Sequence, residues 1–315
     1  MSFPISRTIA AGRGWLQENF FRLAATGLVP ARWFLPDRPE SQALPGRPAP
    51  LQLEIVSHCW NYAHLLAYQL SSLVLYPPRA IAVRMTVYYC PEDAKTGRLL
   101  AHFGGIAVPQ VTWDWRPLER TRLLRRAIGR NLAAKATTAD WIWFTDCDVW
   151  WHTGSLDALA ARLAGCRERL VFPRQEHCTR LLREDDPVLL AAADRPGLVQ
   201  IDPREFAPAF HDKAVGPLQI VHGDTARKHG YCDSIGFYQR PVEHWRKTYE
   251  DRTFRWLLGT EGVPIEVPGI YRIKHLHKGR YQQSGVLRRV RQLLRRVQSR
   301  FFGRARGEGP RNMTA

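Results

Sequence analysis

An apolar run that ends in two acids is the feature of this sequence that most constrains its fold. Residues 141–144 read Trp-Ile-Trp-Phe, and the chain continues Thr-Asp-Cys-Asp, which places carboxylates at Asp146 and Asp148. A short apolar run bounded by polar residues is typical of a buried central strand. Side chains at i and i+2 of an extended chain point to the same side. The sequence therefore predicts a buried strand with two neighbouring carboxylates at its carboxyl end.

Two acids at the end of a buried strand repel each other and are costly to desolvate without a neighbouring cation. A hard divalent ion, Mg²⁺ or Mn²⁺, held by one or two carboxylates and bridging to substrate phosphates would meet that demand. The alternative is a loop in which both acids are solvated or cap a following helix. Because Asp-x-Asp is a common pattern, the surrounding sequence has to decide between these interpretations.

The preceding sequence predicts a parallel sheet. Strand, helix and strand patterns follow one another at 51–57, 61–76 and 81–89. This order is a βαβ unit, which implies parallel strands joined by a right-handed crossover. Open parallel sheets bind ligands beyond the carboxyl ends of their strands. The loops at 58–61 and 90–98 are therefore expected to form walls of a cleft.

The remaining patterns give a coarser outline. Residues 101–111 are expected to form a strand or a loop, and residues 180–215 to form loops that shape an acceptor site. Helices are predicted at 118–136, 156–163 and 242–256, and strands at 141–145, 170–174 and 271–277. The helix at 118–136 is strongly basic. These elements alternate in the way expected of an α/β protein.

Charge and composition narrow the functional classes. The chain has 315 residues and a net charge of +17, from 46 Lys and Arg against 29 Asp and Glu. This excess suits an anionic partner such as a nucleic acid, a nucleotide-sugar or an acidic lipid surface. No helix-turn-helix or zinc-finger pattern favours nucleic acid, and residues 55–61 lack the Gly-rich phosphate loop expected of a nucleotidyltransferase. The six cysteines are dispersed, which favours a reduced, cytoplasmic compartment.

The two ends of the chain differ from its centre. Residues 1–50 combine an amphipathic helical pattern with a Pro-rich linker at 36–50, and we expect no secretory signal there. Residues 284–304 carry an apolar helical face surrounded by arginines without one acid. Such a helix lies readily on an anionic bilayer, although docking on the protein itself is the alternative. We therefore divide the chain into an N-terminal extension (1–50), a catalytic domain (51–283) and a basic tail (284–315).

Several segments, in order, resemble the bacterial-type, inverting family-2 glycosyltransferases. Residues 55–61 are similar to that family's first strand ending in Pro-Thr-Tyr-Asn, and residues 126–136 to its helix containing Ala-Arg-Asn. Residues 144–148 match its Asp-x-Asp segment, and residues 250–251 its Glu-Asp pair. One departure is clear. The family usually ends its second strand in Asp-Asp-Gly-Ser, whereas this chain has Tyr-Tyr-Cys-Pro-Glu-Asp at 88–93.

The resemblance implies a GT-A fold, an α/β architecture with a mostly parallel central sheet flanked by helices. It implies sugar transfer from a nucleotide-diphospho-sugar to an acceptor hydroxyl, with inversion, dependent on Mg²⁺ or Mn²⁺. Asp251, with Glu250, would supply the catalytic base. The metal would be held by Asp146, Asp148 and one of His275 and His277. Donor contacts would come from the following residues: Trp60, Asn61, Asp93, Arg130, Asn131, Asp146 and Lys278.

The same resemblance suggests the partners and the setting. A saccharide or lipid-linked acceptor is expected, in cell-surface polysaccharide or glycolipid synthesis, and no nucleic-acid partner is expected. Contact of residues 284–304 with an anionic membrane would place a cytoplasmic enzyme on the inner face of the cell membrane. A nucleic-acid-binding protein and a nucleotidyltransferase remain the alternative functions.

Overall fold

The computed structural model describes residues 16–37, 44–192, 195–245 and 249–276. The described strands are numbered in chain order: β1 Leu51–Cys59, β2 Ile81–Tyr89, β3 Val111–Pro117, β4 Trp141–Phe144, β5 Val149–Trp151, β6 Leu170–Pro173, β7 Gln175–Cys178, β8 Ala207–Phe210, β9 Gln219–His222, β10 Val263–Ile265 and β11 Ile270–Arg272. The described α-helices, numbered likewise, are α1 Ala63–Leu75, α2 Ala94–Gly104, α3 Arg120–Leu123, α4 Arg126–Ala136, α5 Ser155–Leu163, α6 Pro187–Ala191, α7 Gly223–His229 and α8 Glu250–Leu258.

A seven-stranded sheet forms the centre of the molecule, in the order β10-β6-β9-β4-β1-β2-β3. Among these strands β9 alone runs against its neighbours, β4 and β6, while the pairs β1–β2, β1–β4, β2–β3 and β6–β10 are parallel. The sheet is thus mostly parallel, with helices flanking it. This confirms the predicted GT-A class of fold. Because β1, β2 and β4 are parallel, their carboxyl ends lie at the same end of the sheet.

The apolar run at 141–144 becomes the central strand β4, and all four of its side chains are buried. It pairs in parallel with β1 and antiparallel with β9. Both faces of such a strand are covered, which is why its sequence is continuously apolar instead of alternating. The two acids follow directly, and β5 then begins a second, four-stranded sheet in the order β5-β11-β7-β8.

Three predicted boundaries are wrong. Residues 94–104 form helix α2, because Asp93 caps its first turn and accepts from Thr96 N, so a strand begins only at Val111. The basic segment 118–136 divides into α3 and α4 at Arg125, whose φ of −99° and ψ of 85° are not helical. The last predicted helix begins at Glu250, because Tyr249 is left-handed with φ of 55° and cannot continue a helix backwards.

The described part of the N-terminal extension packs on the sheet-bearing part of the chain. Residues 16–23 are helical and continue into the π-helical segment Ala24–Leu28. Phe21 stacks on Phe237 with ring centroids 6.2 Å apart, and Trp256 of α8 donates its indole N–H to Val29 O at 2.9 Å. In the residues that the structure describes, no helix has the length and apolar character needed to cross a membrane. The predicted helix at 284–304 lies outside the described residues.

Candidate active site

A cleft opens at the carboxyl ends of β1 and β4. Both acids of the turn after β4 line it, together with Arg126 from the start of α4. The loop after β1 contributes aromatic side chains, and His275 closes the wall from the other sheet. The cleft residues used below are His58, Trp60, Tyr62, Arg126, Asp146, Asp148 and His275. Of the residues predicted for the site, the structure thus brings together Trp60, the two acids and His275.

Asp146 is bound by two arginines that project from one face of α4. Arg126 donates from Nη1 to Asp146 Oδ1 at 2.6 Å, and Arg130 donates from Nη2 to the same oxygen at 3.3 Å. Arg130 is fully buried and also donates to Tyr231 Oη and Gly216 O. Arg130 therefore fixes Asp146 from beneath the cleft, whereas the resemblance predicts that it contacts the donor.

Arg126 also joins the Asp-x-Asp turn to the Glu-Asp pair. Its Nε donates to Glu250 Oε1 at 3.2 Å, and only 6% of the Glu250 side chain is exposed. Burial alone lowers the pKa of Arg126, but the carboxylates of Asp146 and Glu250 raise it above its ordinary value. The sequence analysis missed Arg126 as a site residue. The signal was its i, i+4 spacing from Arg130, which places both guanidinium groups on one helix face.

Asp251 follows in the first turn of α8 but is not among the residues that line the cleft. Its side chain is 35% exposed, and its Oδ2 lies 3.8 Å from Arg255 Nη1. A Cβ built on Gly216 would lie 3.8 Å from that same Oδ2. Gly216 O accepts from Arg130, which also binds Asp146, so Gly216 and this arginine link Asp251 to the turn at 146–149, called the acid turn below.

The metal prediction rests on Asp146, Asp148 and His275, which line the same cleft. Across 16–37, 44–192, 195–245 and 249–276, no group of three or more His, Cys, Asp or Glu side chains is placed to hold a metal ion. Mg²⁺ and Mn²⁺ need only one or two carboxylates when substrate phosphates and water complete the shell. The donor chemistry of the two acids therefore fits an ion that binds with a diphosphate. His277 and Lys278 lie outside the described residues.

Three residues predicted to contact the donor form hydrogen bonds within the protein. Asp93 is buried, and its Oδ2 accepts from Asn61 N at 2.6 Å and from Thr96 Oγ1 at 2.7 Å. Asp93 and Asn61 thus tie the loop after β1 to the start of α2. Asn131 donates from Nδ2 to Asp233 at 2.7 Å and accepts from Tyr231 N at 2.9 Å. Asp93 and Asn131 thus hold loops together, and none of Asn61, Asp93 and Asn131 is among the residues that line the cleft.

His58 lies where β1 ends in the cleft, and the sequence analysis did not select it. Its ring stacks on Tyr88, with centroids 5.2 Å apart and planes at 21°. Burial lowers the pKa of His58 well below its ordinary value, and the charges of Arg130 and Arg126 lower it further. The imidazole is consequently neutral at pH 7. Tyr88, at the strand end where the resembled family has acids, thus packs behind the part of the cleft wall that His58 forms.

The chain is similar to one protein family and, weakly, to several solved structures. The family model described as Glycosyl transferase family 2 matches residues 108–206, and no curated protein sequence matches the chain. Among solved structures, Staphylococcus aureus TarS 1-349 is 13% identical, with 71% of this chain and 58% of that chain covered and a TM-score of 0.41.

Two further structures were determined with ligands. The same TarS fragment in complex with UDP-GlcNAc is 11% identical over 74% of this chain and 62% of that one, with a TM-score of 0.45. The mannosyltransferase PcManGT from Pyrobaculum calidifontis, in complex with GDP-Man and Mn²⁺, is 14% identical over 95% and 75%, with a TM-score of 0.42. The chain thus spans about three fifths of the TarS fragment. The stretch matched by the family model includes the two arginines and both acids, so residues 108–206 are similar to the family that the motifs predict.

Proposed function

We propose that this protein transfers a sugar from a nucleotide-diphospho-sugar to an acceptor hydroxyl, with inversion at the anomeric carbon. The observation that carries the proposal is the convergence of Asp146, Asp148 and Arg126 on one cleft, with Glu250 bonded to the same arginine. The cleft lies at the carboxyl ends of parallel strands, where α/β sheets bind their ligands. The family match over residues 108–206 supports the same reaction class.

The charges around the turn suggest how the diphosphate is held. Asp146 already has two arginine partners, so we assign a divalent ion mainly to Asp148, with Asp146 directly or through water. Such an ion, when bound with the donor, neutralises the charge of the leaving diphosphate. Arg126 lines the cleft and keeps a positive charge at any physiological pH, so it adds a second cation on the same side.

We assign the catalytic base to Asp251, with Glu250 as the residue that orients the start of α8. Glu250 is anchored to Arg126, and this contact brings the first turn of α8 to the acid turn. Asp251 is partly exposed and therefore accessible to an acceptor. A base on the face opposite the leaving group would deprotonate the acceptor hydroxyl, and such assistance contributes about 10²–10⁴-fold to the rate.

The setting that we propose is the cytoplasmic face of a membrane, with a saccharide or lipid-linked acceptor. The support is in the sequence: residues 284–304 combine an apolar helical face with arginines. Full-length protein should sediment with anionic liposomes, and a variant ending at residue 283 should not. Equal sedimentation of the two proteins would contradict the tether.

The reaction is tested by incubating the purified protein with UDP-, GDP- and dTDP-sugars, with and without Mn²⁺, and measuring release of the nucleoside diphosphate. Asp148→Asn should abolish this release while leaving thermal unfolding unchanged. Asp185→Asn is the matched control, because Asp185 is exposed and pairs only with the exposed Arg183 among the ion pairs described. Asp251→Asn should stop transfer to the acceptor. The anomeric configuration of the product, determined by NMR, tests inversion.

With pyrophosphate added to the same mixtures, formation of a nucleoside triphosphate and a sugar 1-phosphate instead of a nucleoside diphosphate would indicate a nucleotidyltransferase and refute the proposed reaction. Full activity of Asp148→Asn would refute the role of that acid. Retention of labelled nucleic acid that falls steeply between low and moderate salt, with no donor turnover, would support the nucleic-acid alternative.

A further inference from the structure

Helix α1 buries a glutamine among leucines, on the side facing the acid turn. Gln69 has no exposed surface, and its helix neighbours Leu66, Leu70 and Leu73 are equally buried. Its side-chain nitrogen, Nε2, donates to Asp146 O at 3.0 Å and to Val149 O at 2.8 Å. Both hydrogens of one amide group are thus used by the two ends of the tetrapeptide that carries the acids.

This contact spans the turn in which the candidate ligands lie. Val149 N donates to Asp146 O at 3.2 Å, and Ile273 N donates to Asp148 O at 2.9 Å. These two bonds close the turn and tie its middle to the second sheet. Gln69 adds a link between the carbonyls at the two ends of the turn that carries both carboxylates.

The side-chain oxygen of Gln69 differs from its nitrogen in having no comparable contact among the described residues. Gln69 Oε1 is buried and has no hydrogen-bond partner within the part of the chain that the structure describes. A buried polar atom without a partner destabilises the folded state. A leucine would fit the apolar surroundings without that cost. The position of Gln69 is therefore explained by what its nitrogen holds and not by the packing of α1.

We infer that Gln69 is a positioning residue, which holds the Asp146–Val149 turn so that its carboxylates meet the diphosphate side of the donor. The inference rests on the proposed function for its kinetic consequence but not for its structural part. Residues that orient ligand-bearing groups in this way typically change metal affinity or activity by about 10–100-fold when they are replaced.

The test uses the full chain and Gln69→Met, which keeps the length of the side chain and removes its donors. Ser72→Ala is the matched control, because Ser72 lies one turn further along α1, is buried, and accepts from Trp151 N at 3.3 Å. Each variant loses hydrogen bonds between α1 and the chain around β5, but only Gln69 reaches the acids. Gln69→Leu serves as a second variant.

Two measurements are made on each protein. Hydrogen exchange of the peptide covering residues 141–151 reports the turn directly and needs no activity. Steady-state kinetics with a donor that the wild type hydrolyses report kcat, the donor KM and the Mn²⁺ activation constant. For Gln69→Met we expect about tenfold faster exchange at Val149 and a rise of about tenfold or more in the donor KM and the Mn²⁺ constant. For Ser72→Ala we expect changes within about twofold, as for a bond remote from the acids.

The outcomes separate this inference from the proposed function. If the wild type turns over no nucleotide-sugar, the proposed function fails, and exchange alone decides whether Gln69 holds the turn. If the wild type is active but Gln69→Met matches Ser72→Ala in exchange or in kinetics, the inference is overturned. If Gln69→Met and Gln69→Leu both lose cooperative unfolding, Gln69 is required for the fold and its assignment as a positioning residue is also overturned.

Discussion

The substitution Gly129→Ala tests how closely helix α4 packs against His58 at the cleft. A Cβ placed on Gly129 would lie 2.2 Å from His58 Nε2, 3.0 Å from Cδ2 and 3.2 Å from Cε1. These separations are below van der Waals contact, so one side must move. His58 is confined by its stack on Tyr88, and its two ring nitrogens are buried. We therefore expect the ring to be displaced toward the cleft at the cost of that stack.

The magnitude follows from two opposing terms. Alanine in the interior of a helix is more stable than glycine by about 0.5–1 kcal/mol. Overpacking a closed site costs about 1–3 kcal/mol. Gly129→Ala should therefore destabilise the protein by about 0–2.5 kcal/mol. In a His58→Ala background the obstacle is gone, and the same substitution should stabilise by about 0.5–1 kcal/mol. The double-mutant cycle should give a coupling energy of about 1–3 kcal/mol.

The assay is urea unfolding followed by tryptophan fluorescence on the wild type, both single variants and the double variant. Gly97→Ala is the control, because Gly97 also lies inside a helix, α2, and nothing lies within 4 Å of its Cβ position. It should stabilise by about 0.5–1 kcal/mol. If Gly129→Ala stabilises the wild type as much as Gly97→Ala does, Gly129 and His58 are not packed as described, and the reasoning is refuted.

Three further outcomes are expected. Arg126→Met removes the ion-pair partner of Glu250, and breaking a buried pair costs about 3–5 kcal/mol. Because the Arg126 side chain is 28% exposed, we expect urea unfolding to show a smaller loss of stability than this. Adding Glu250→Gln should partly restore the stability. Asp93→Ala removes the cap of α2 and the acceptor of Thr96, so thermal unfolding should show a loss of about 2–3 kcal/mol, and an unchanged midpoint would contradict this role. The lowered pKa of His58 means that the unfolded chain binds a proton below about pH 6.5 when the folded chain does not. Stability should therefore fall below that pH by up to about 1.4 kcal/mol per pH unit, and His58→Asn should reduce this slope between pH 7 and 5; parallel curves would contradict it.

The strands near the site could be predicted from sequence because their signal is local. Strand β2 occupies Ile81–Tyr89 as predicted, and β4 ends at Phe144, one residue before the predicted end. Central parallel strands are covered on both faces, so they appear as uninterrupted apolar runs. The edge strand β3 was missed, because only part of each side chain is buried there and the run is mixed with polar residues.

Helix boundaries were predicted less well, because they depend on distant contacts. The chain breaks between α3 and α4, where Val242 N donates to Thr121 O across the molecule at 2.9 Å. The start of α8 is set by the left-handed Tyr249, whose ring lies beneath the guanidinium of Arg22. Neither contact can be inferred from the helical periodicity of the segment concerned.

The sequence by itself determined the class of fold, the similarity of residues 108–206 to family-2 glycosyltransferases and the place of Asp146 and Asp148 at the end of a buried strand. The tertiary structure decided what each polar group contacts: Arg126 joins Asp146 to Glu250, and Gln69 holds the turn from α1. Burial of apolar residues leaves a periodic pattern along the chain, and that pattern is visible before folding. The partners of a charge or an amide lie far away in sequence and are chosen only when the elements pack. The two aspartates could therefore be found in the sequence, but the arginine and the glutamine that hold them could not.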